Sequence, residues 1–238
     1  MFIVTGGGTG IGRAVALALH GQGGQVLIAG RRPAPLADVA RASGGAITAV
    51  PCDSSTPEGA RAVAARVTGD VEGLVHCAGG NPAIGRPDPG SLEAEAALLG
   101  ETMAGNLTSA ALTVTALAER MTAGSSVVLF GSIAAERGVG YYGPAKAAVA
   151  SYAVGLARDL GPRGIRVNCI SPGYIADTEF FGGRLSPERE AGLRAQTATG
   201  RTGVPEDAVA LTLFLLSAEA RHLSGQNFHL NGGAFTTR

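Results

Sequence analysis

A glycine-rich turn near the start of the chain constrains the fold more than any other stretch. Thr5-Gly6-Gly7-Gly8-Thr9-Gly10-Ile11-Gly12 joins the apolar run Phe2-Ile3-Val4 to an amphipathic helical pattern that begins at Arg13. Glycines permit positive φ and close approach of a ligand, and a helix start offers free N–H groups to a phosphate. Arg13-Ala14 follows the last glycine, where a P-loop has Lys-Ser or Lys-Thr. The turn therefore favours a nucleotide site over a P-loop or a purely structural turn.

Length and charge narrow the class of protein. The 238 residues, 45% of them hydrophobic, suit one α/β domain over residues 1–238. Nineteen basic and nineteen acidic residues leave no net charge. This balance argues against nucleic acid or an anionic membrane as the main partner, so a small-molecule ligand is expected.

The cysteines and histidines follow neither a disulfide nor a metal pattern. Cys52, Cys77 and Cys169 are odd in number and form no C-x-x-C pair, which favours a reduced, cytoplasmic setting. The four histidines lack metal-ligand spacing, so no metal is expected. The first strand begins too early for a signal peptide, and no apolar window is long enough to cross a bilayer.

Apolar, β-branched runs alternate with helical patterns along the chain. This alternation predicts one Rossmann-type doubly wound α/β domain, with about seven parallel strands and helices on both faces. The predicted strands are Phe2–Thr5, Gln25–Gly30, Ala46–Cys52, Gly73–Cys77, Ser126–Gly131, Ile165–Ser171 and Asn227–Leu230. The predicted helices are Ile11–Gln22, Leu36–Ala42, Pro57–Thr68, Leu92–Met121, Tyr142–Leu160, Pro187–Gln196 and Glu206–Ser217. Two irregular loops, Gly79–Ser91 and Gly173–Ser186, follow strands at the carboxyl edge, where open α/β folds bind ligands.

Two arginines follow the second predicted strand, where a sheet built for NAD commonly places an acid for the ribose 2′-hydroxyl. The chain reads Gly30-Arg31-Arg32 there. The guanidiniums of Arg31 and Arg32 suit charge-assisted bonds to a 2′-phosphate, so NADP(H) is predicted in preference to NAD(H). The alternative is a solvated arginine pair on a surface loop.

Cys52 and Asp53 end the third predicted strand at the same edge. A carboxylate there is placed to accept a hydrogen bond from an adenine amino group, so this strand end is predicted to border the cofactor. Asp53 is equally suited to capping the chain before the next helix. Thr56, which precedes Pro57, is the expected N-cap of that helix.

The candidate reaction chemistry lies in Ser132, Tyr142 and Lys146. Tyr142 and Lys146 are four positions apart, so a helix places both on one face. A tyrosine with its ordinary pKa near ~10 is a slow proton partner at neutral pH, and a nearby cation lowers that pKa. We therefore expect Lys146 to lower the pKa of Tyr142, and Ser132 to hold the substrate oxygen. Taken alone, such a pair is more often a half-exposed aromatic beside a solvated lysine.

Together these motifs resemble the short-chain dehydrogenase/reductase family. The family pattern includes Thr-Gly-x-x-x-Gly-x-Gly, a serine, Tyr-x-x-x-Lys and a later Pro-Gly. It stands here at Thr5–Gly12, Ser132, Tyr142–Lys146 and Pro172-Gly173. The resemblance covers essentially the whole chain, and the ending Asn231-Gly232-Gly233 is similar to that of 3-oxoacyl-acyl-carrier-protein reductases.

The resemblance implies hydride transfer between a nicotinamide ring and a carbonyl or alcohol carbon, with Tyr142 as acid/base. Lys146 would also bind the nicotinamide ribose, and Asn106 would support a proton-relaying water. A homotetramer or dimer, formed through the two longest predicted helices, is implied as well. The residues predicted to bind the cofactor are Gly6, Gly8, Thr9, Gly10, Ile11, Gly12, Arg31, Arg32, Cys52, Asp53, Cys77, Ala78, Gly79, Tyr142, Lys146, Pro172, Gly173 and Ile175.

Two stretches depart from the family pattern. His76-Cys77-Ala78-Gly79 stands where relatives have Asn-Asn-Ala-Gly, so other contacts must brace the sheet, and packing is the favoured role of His76 and Cys77. Tyr142 follows Ser132 after a shorter interval than in relatives, so the loop Ile133–Tyr141 narrows or reshapes the substrate entrance. Tyr141 is a weaker candidate for the acid because it faces another direction on a helix.

Gly173–Ser186, in a flap region near 173–200, predicts an apolar flap over the substrate that carries Tyr174, Ile175, Phe180 and Phe181. Arg86, Arg137 and Arg184 are candidates to meet an acidic substrate, although separate loop arginines are mostly solvated. The predicted function is an NADP(H)-dependent reaction on a carbonyl or secondary alcohol, a 3-oxoacyl thioester among the candidates. The alternatives are an NAD-linked alcohol, sugar or steroid dehydrogenase and a non-catalytic regulator that binds NADP(H).

Overall fold

The strands of the chain form one parallel sheet. The structure, a computed structural model, describes residues 1–237. The strands are β1 (Phe2–Thr5), β2 (Val26–Gly30), β3 (Thr48–Pro51), β4 (Val71–His76), β5 (Met121–Phe130), β6 (Arg166–Pro172) and β7 (Asn227–Leu230). Their order is β3-β2-β1-β4-β5-β6-β7, and each neighbouring pair is parallel. The predicted Rossmann-type sheet is confirmed.

Helices connect the strands and cover both faces of the sheet. They are α1 (Gly10–Gly21), α2 (Pro33–Ala42), α3 (Pro57–Ala64), α4 (Leu92–Met103), α5 (Ser109–Leu117), α6 (Ala134–Arg137), α7 (Tyr142–Leu160), α8 (Pro187–Ala195) and α9 (Pro205–Leu216). A π-helical turn, Ala104–Thr108, joins α4 to α5. Short 3₁₀ turns lie at Ala118–Arg120, Gly161–Arg163 and Ala218–Ala220.

Two hydrophobic clusters hold this layered arrangement together. Alternate residues of a strand point to opposite faces, so Ile3 enters the cluster beneath α3, α5 and α7, whereas Val4 enters the cluster beneath α1, α2 and α9. Both side chains are fully buried. Because full burial of one such side chain contributes about 1.5–3 kcal/mol, central strands with apolar residues on both faces favour helices on both sides.

The predicted single helix Leu92–Met121 is wrong in detail. Ser91 caps the start of α4 by accepting a hydrogen bond from the Ala94 N–H at 3.2 Å. The helix then widens into the π-helical turn, where the buried Asn106 donates from Nδ2 to the Thr102 carbonyl at 2.8 Å. A π-helical turn inserts one residue and re-aims the side chains after it, which hydrophobic spacing does not reveal.

The two middle strands begin earlier than predicted. β5 starts at Met121, before the predicted Ser126, and β4 starts at Val71, before Gly73. Met121 pairs with Val71, and the Ser125 hydroxyl donates to the Val71 carbonyl at 2.8 Å. The pairing shifts register between Val71 and Gly73, so the extension follows a bulge that the apolar pattern does not indicate.

The interval after Ser132 also differs from the predicted loop. It contains α6, a single helical turn that ends at Arg137 and is capped by Gly138, whose φ is +62°. This turn carries the chain compactly from β5 to α7, and the Ala134 N–H donates to Ser132 Oγ at 3.1 Å. The short interval therefore keeps Ser132 beside the start of α7.

Parallel strands bring their carboxyl ends to one edge of the sheet, where open α/β folds bind ligands. The glycine turn, the arginine pair, the His76–Gly79 segment and Ser132 follow β1, β2, β4 and β5 at that edge. Beyond β6, an isolated parallel bridge between Ile175 and Gly203 anchors the flap. The helices of residues 1–237 include none with the length and apolar content needed to cross a membrane.

Candidate active site

The glycine turn between β1 and α1 is shaped for a phosphate. Gly6 and Gly10 have φ angles of +65° and +51°, and a β-carbon on Gly12 would lie 2.3 Å from the Gly6 carbonyl oxygen. Within the described residues, the Thr9 side chain does not cap α1, and the first turn of α1 holds no acidic residue. The N–H groups and the positive dipole end of α1 therefore suit an anion.

The two arginines after β2 differ in their surroundings. Arg32 Nη2 lies 2.6 Å from Glu179 Oε2 and 3.4 Å from Thr9 Oγ1, so this side chain links the flap to the glycine turn. Arg31 is exposed, and its charge helps to lower the pKa of Asp53. The structure thus brings both arginines to the predicted edge but engages Arg32 with a carboxylate.

Asp53 closes a tight turn after β3. Its Oδ1 accepts hydrogen bonds from Ser55 N at 3.0 Å and from Ser55 Oγ at 2.7 Å. These bonds are the main reason why the pKa of Asp53 is lowered. The cap of α3 is Thr56, as predicted, because the Gly59 N–H donates to Thr56 Oγ1 at 3.1 Å. Cys52, half-buried, donates its N–H to the Gly30 carbonyl at 2.9 Å.

Tyr142 and Lys146 occupy the first turns of α7 and are buried, at 8% and 4% exposure. Lys146 Nζ lies 5.7 Å from the centre of the Tyr142 ring and donates to the Phe130 carbonyl at 2.8 Å. Ser132, just beyond β5, lies close enough to the Tyr142 hydroxyl to lower its pKa in part. The structure therefore brings together the three residues that the sequence singled out.

The pKa of Tyr142 shifts in the direction opposite to the expected one, and the cause of the shift is burial. Burial raises the pKa of Tyr142 to about 12, and the proximity of Ser132 offsets only part of that rise. Burial also lowers the pKa of Lys146 to about 8. The cost of removing a charged group from water dominates at both positions, which the i, i+4 spacing does not indicate.

Asn106 lies beside this pair, in the π-helical turn. Its Oδ1 accepts from Gly80 N at 3.2 Å, and its Nδ2 donates to the Gly80 carbonyl at 2.9 Å. A β-carbon on Gly79 would lie 2.5 Å from Asn106 Oδ1 and 3.1 Å from Lys146 Nζ. Gly79 therefore lies against both Asn106 and Lys146, at a distance that excludes a larger side chain.

His76 and Cys77 stand where members of the family have two asparagines, and His76 forms hydrogen bonds that brace the sheet there. His76 Nδ1 lies 2.8 Å from Thr5 Oγ1, and Nε2 lies 3.0 Å from Ser109 Oγ. Cys77 is half-buried, and burial raises the pKa of its thiol to about 12, which disfavours a reactive thiolate. The sequence could have indicated the brace, since Thr5 and His76 end neighbouring strands in matching register.

The flap places aromatic rings over Tyr142. Phe180 lies 5.5 Å from the Tyr142 ring centre, Phe181 packs edge-on against Phe180 at 5.0 Å, and Tyr174 lies 5.9 Å from Phe181. Pro172 and Gly173 begin the flap, where the Pro172 carbonyl accepts from Ile133 N at 2.8 Å. The predicted apolar flap thus contacts the candidate acid.

Tyr141 and two of the loop arginines face other groups. The Tyr141 hydroxyl donates to the Glu95 carboxylate on α4, as its different helical direction predicted. Arg86 pairs with Glu101 at 2.6 and 2.9 Å. Arg137 donates to Gln196 and, at 2.8 Å, to the Ala234 carbonyl.

Comparison with known proteins agrees with this geometry. A family model described as Enoyl-(Acyl carrier protein) reductase matches residues 6–235. The chain is 31% identical over 248 residues to the short-chain reductase protein NovJ of Streptomyces niveus, covering 97% of this chain and 92% of NovJ. It is 36% identical over 250 residues to L-rhamnose 1-dehydrogenase (NAD(P)(+)) of Azotobacter vinelandii, covering 98% and 95% of the two chains.

A solved structure shares the fold closely. The crystal structure of a short chain dehydrogenase from Burkholderia cenocepacia J2315 in complex with NADP superposes with a TM-score of 0.84 at 31% sequence identity. The match covers 98% of this chain and 96% of that chain. Sequence and structure comparisons therefore agree over nearly the full length of the described residues.

Proposed function

The chain belongs to the short-chain dehydrogenase/reductase family and is an oxidoreductase, and on that premise we propose that it reduces a ketone or aldehyde with NADPH. One observation carries the proposal. Tyr142 lies near Ser132 and stands one helical turn before the buried Lys146, at the ligand-binding edge of the sheet. This arrangement combines three groups: a proton donor, Tyr142; a hydroxyl that can hold the substrate oxygen, Ser132; and a cation, Lys146.

The chain offers a fitting place for a dinucleotide. The close packing of Gly12 on Gly6 and the start of α1 suit the pyrophosphate. We assign Arg31 to the 2′-phosphate, because Gly30 leaves no acid there to repel it and Arg32 is shared with Glu179. The NADP complex of the Burkholderia cenocepacia dehydrogenase supports the choice of NADP(H) over NAD(H) as the cofactor.

The remaining cofactor contacts are assigned along the carboxyl edge. Asp53 and Cys52 border the adenine, whereas Cys77, Ala78 and Gly79 line the middle of the cleft. Pro172, Gly173 and Ile175 face the nicotinamide end, where Lys146 binds the ribose. When bound, the reduced nicotinamide supplies the hydride.

In the reduction direction the chain's own residues manage the proton. Ser132 holds the carbonyl oxygen by a hydrogen bond, and Tyr142 donates a proton to it as negative charge develops. A phenol whose pKa is about 12 is protonated at neutral pH, which is the form that donation requires. Lys146, whose pKa is about 8, remains charged at neutral pH and stabilises the phenolate left on Tyr142. Asn106 supports the path by which that phenolate regains a proton.

The flap favours an apolar carbonyl substrate. Phe180 packs on the Tyr142 ring and Phe181 packs on Phe180, and such rings bind aliphatic or aromatic groups. The charges of Arg86 and Arg137 are directed to partners within the chain, which reduces their availability to an acidic carrier. We therefore place simple apolar ketones ahead of a 3-oxoacyl thioester.

A spectrophotometric assay of NADPH oxidation against apolar ketones, 3-oxoacyl thioesters and sugars tests this function. Tyr142→Phe is expected to lower kcat about 100-fold or more, because general acid catalysis contributes at least that much. Tyr141→Phe is the matched control, since its hydroxyl bonds to Glu95, and it is expected to retain activity. Tight NADPH binding without turnover of any compound would instead favour the non-catalytic regulator, and a preference for NADH with alcohols would favour the NAD-linked dehydrogenase.

We also propose a homotetramer or dimer of single-domain chains in the cytoplasm. Leu92 on α4 and Val154 on α7 are exposed, at 84% and 40%, and small residues on α7 permit close helix approach. The two hydrophobic clusters flank one sheet, which supports a single domain. The three free thiols within the described residues suit a reducing compartment. Light scattering of the purified protein measures the oligomer.

A further inference from the structure

His76 is a buried polar residue to which the proposed mechanism gives no role. It ends β4 beside Thr5 of β1, and its ring reaches across to Ser109 at the start of α5. Thr5, His76 and Ser109 are each at most 2% exposed. A hydrogen bond between such buried groups is costly to lose, because water cannot replace the missing partner.

The donors and acceptors around His76 fit one arrangement. The Ser109 hydroxyl donates to the Gly105 carbonyl at 2.8 Å, which leaves its oxygen to accept from Nε2 of His76. Thr5 Oγ1 accepts from Ala78 N at 3.2 Å and has its own proton to donate to Nδ1 of His76. A neutral imidazole with its proton on Nε2 satisfies every contact in this set. Burial and the charge of Lys146 lower the pKa of His76 to about 3, which agrees with a neutral ring.

Both ends of this chain of bonds, which we call the His76 bridge (Ala78, Thr5, His76, Ser109 and Gly105), adjoin the candidate active site. Ala78 precedes Gly79, the residue that lies against both Asn106 and Lys146. Gly105 directly precedes Asn106, and Ser109 follows it within one turn. The bridge therefore connects the end of β4 to the π-helical turn. These two segments supply Gly79 and Asn106, which lie against each other.

We propose that His76 is a positioning residue, which fixes the spacing between Gly79 and Asn106 and thereby places both against Lys146. If the bridge were lost, the end of β4 would still be joined to the π-helical turn by the hydrogen bonds between Asn106 and Gly80. Among the hydrogen bonds of the described residues, these are the only others between the two segments. A small displacement of that contact misaligns Lys146 with Tyr142, and misplacement by about 1 Å costs up to about 100-fold in rate.

Variants at both ends of the bridge test the proposal, and this part of the test rests on the proposed function. In folded His76→Leu, kcat is expected to fall about tenfold or more, whereas the KM for NADPH changes less because the glycine turn is untouched. Ser109→Ala is expected to lower kcat similarly, and the double variant no further, since both remove one bridge. His76→Asn, which retains an amide group near Nδ1, is expected to recover part of the activity. Thr113→Val is the matched control and is expected to retain kcat. It also removes a buried hydroxyl, but Thr113 Oγ1 donates within α5 to the Ser109 carbonyl at 2.7 Å and is not part of the bridge.

A second measurement is independent of turnover. Nitrogen-15 NMR of the imidazoles, with the His76 signal assigned by its loss in His76→Asn, is expected to show a neutral ring with its proton on Nε2 down to pH 5. A proton on Nδ1, titration in the ordinary histidine range, or unchanged kcat in folded His76→Leu would overturn the proposal. If His76→Leu does not fold, Ser109→Ala and His76→Asn decide it. Absence of turnover in the wild type would instead refute the proposed function, and the NMR result would still decide the bridge.

Discussion

At the scale of single residues, the burial of Lys146 determines how kcat for carbonyl reduction is expected to depend on pH. Its pKa is lowered to about 8, so the amine is charged below that pH and neutral above it. Because the charged amine stabilises the phenolate of Tyr142, kcat for carbonyl reduction is expected to fall as the pH rises through about 8. Rates measured from pH 6 to 10 at constant ionic strength check this. Constant activity up to pH 10 would contradict it.

Arg31 is expected to select the cofactor. Replacing it with Ala removes a charge-assisted hydrogen bond to the 2′-phosphate, so kcat/KM for NADPH should fall about 10- to 100-fold. The value for NADH, which lacks that phosphate, should stay the same and serves as the internal control. An equal loss with both cofactors would show that the side chain acts on something other than the phosphate.

The locations of the candidate site residues were predictable where sequence spacing decides geometry, whereas their roles stay predictions. Tyr142 and Lys146 share a helix face because they are four positions apart, and Ser132 reaches them from the neighbouring strand. The direction of the Tyr142 pKa shift depends on burial, which spacing does not give. The role of His76 depends on partners from β1 and α5, distant in the sequence, so its hydrogen bonds were beyond a local pattern.

At the scale of elements, Arg166 joins the start of β6 to the end of α9. It is 8% exposed, and its guanidinium donates to the carbonyls of Leu215 at 2.7 Å and Ser217 at 3.0 Å. Arg166→Met removes these charge-assisted hydrogen bonds and leaves each carbonyl with its second donor alone, Ser126 Oγ at 2.9 Å or Ala220 N at 3.3 Å. The free energy of unfolding should therefore fall by about 1.5–3 kcal/mol. Urea denaturation followed by circular dichroism measures the change.

Arg61→Met is the matched control for Arg166. Arg61 lies on α3 with a side chain that is 74% exposed and pairs with Glu58 at 3.4 Å. An exposed pair contributes little, so the free energy of unfolding should change by no more than about 0.5 kcal/mol. Equal effects of the two substitutions would show that the carbonyl contacts of Arg166 are not what stabilises α9.

Elements were predictable where one periodicity runs without interruption. β1 and β7 match their predicted bounds, and α7 begins and ends as predicted, because apolar spacing and glycine boundaries agree there. The stretch after Leu92 was not predictable in detail, since the π-helical turn around Asn106 changes the period within a continuous helix. The early start of β5 at Met121 depends on pairing with Val71, which is a tertiary contact.

At the scale of the whole molecule, we propose that the flap and the sheet edge together form the substrate site, and a variant of Phe180 tests this proposal. It is 40% exposed and packs on Tyr142. Phe180→Ala should raise the KM for an apolar ketone about tenfold, because an aromatic contact contributes about 1.4 kcal/mol. The control is Phe214→Ala on α9, since Phe214 is similarly exposed at 39%. A similar KM in both variants would show that the flap does not contribute to substrate binding.

The ion pair between Arg32 and Glu179 leads us to expect that binding of a nucleotide and binding of a ketone are coupled. The guanidinium contacts both Thr9 of the glycine turn and Glu179, which directly precedes Phe180 in the flap. By thermodynamic reciprocity, any change that a nucleotide makes in ketone affinity is matched by an equal change that the ketone makes in nucleotide affinity. Both side chains are about 60% exposed, so the cooperativity factor is expected not to exceed about fivefold. Titration calorimetry with each ligand, alone and in the presence of the other, measures that factor, and Glu179→Gln should bring it close to unity.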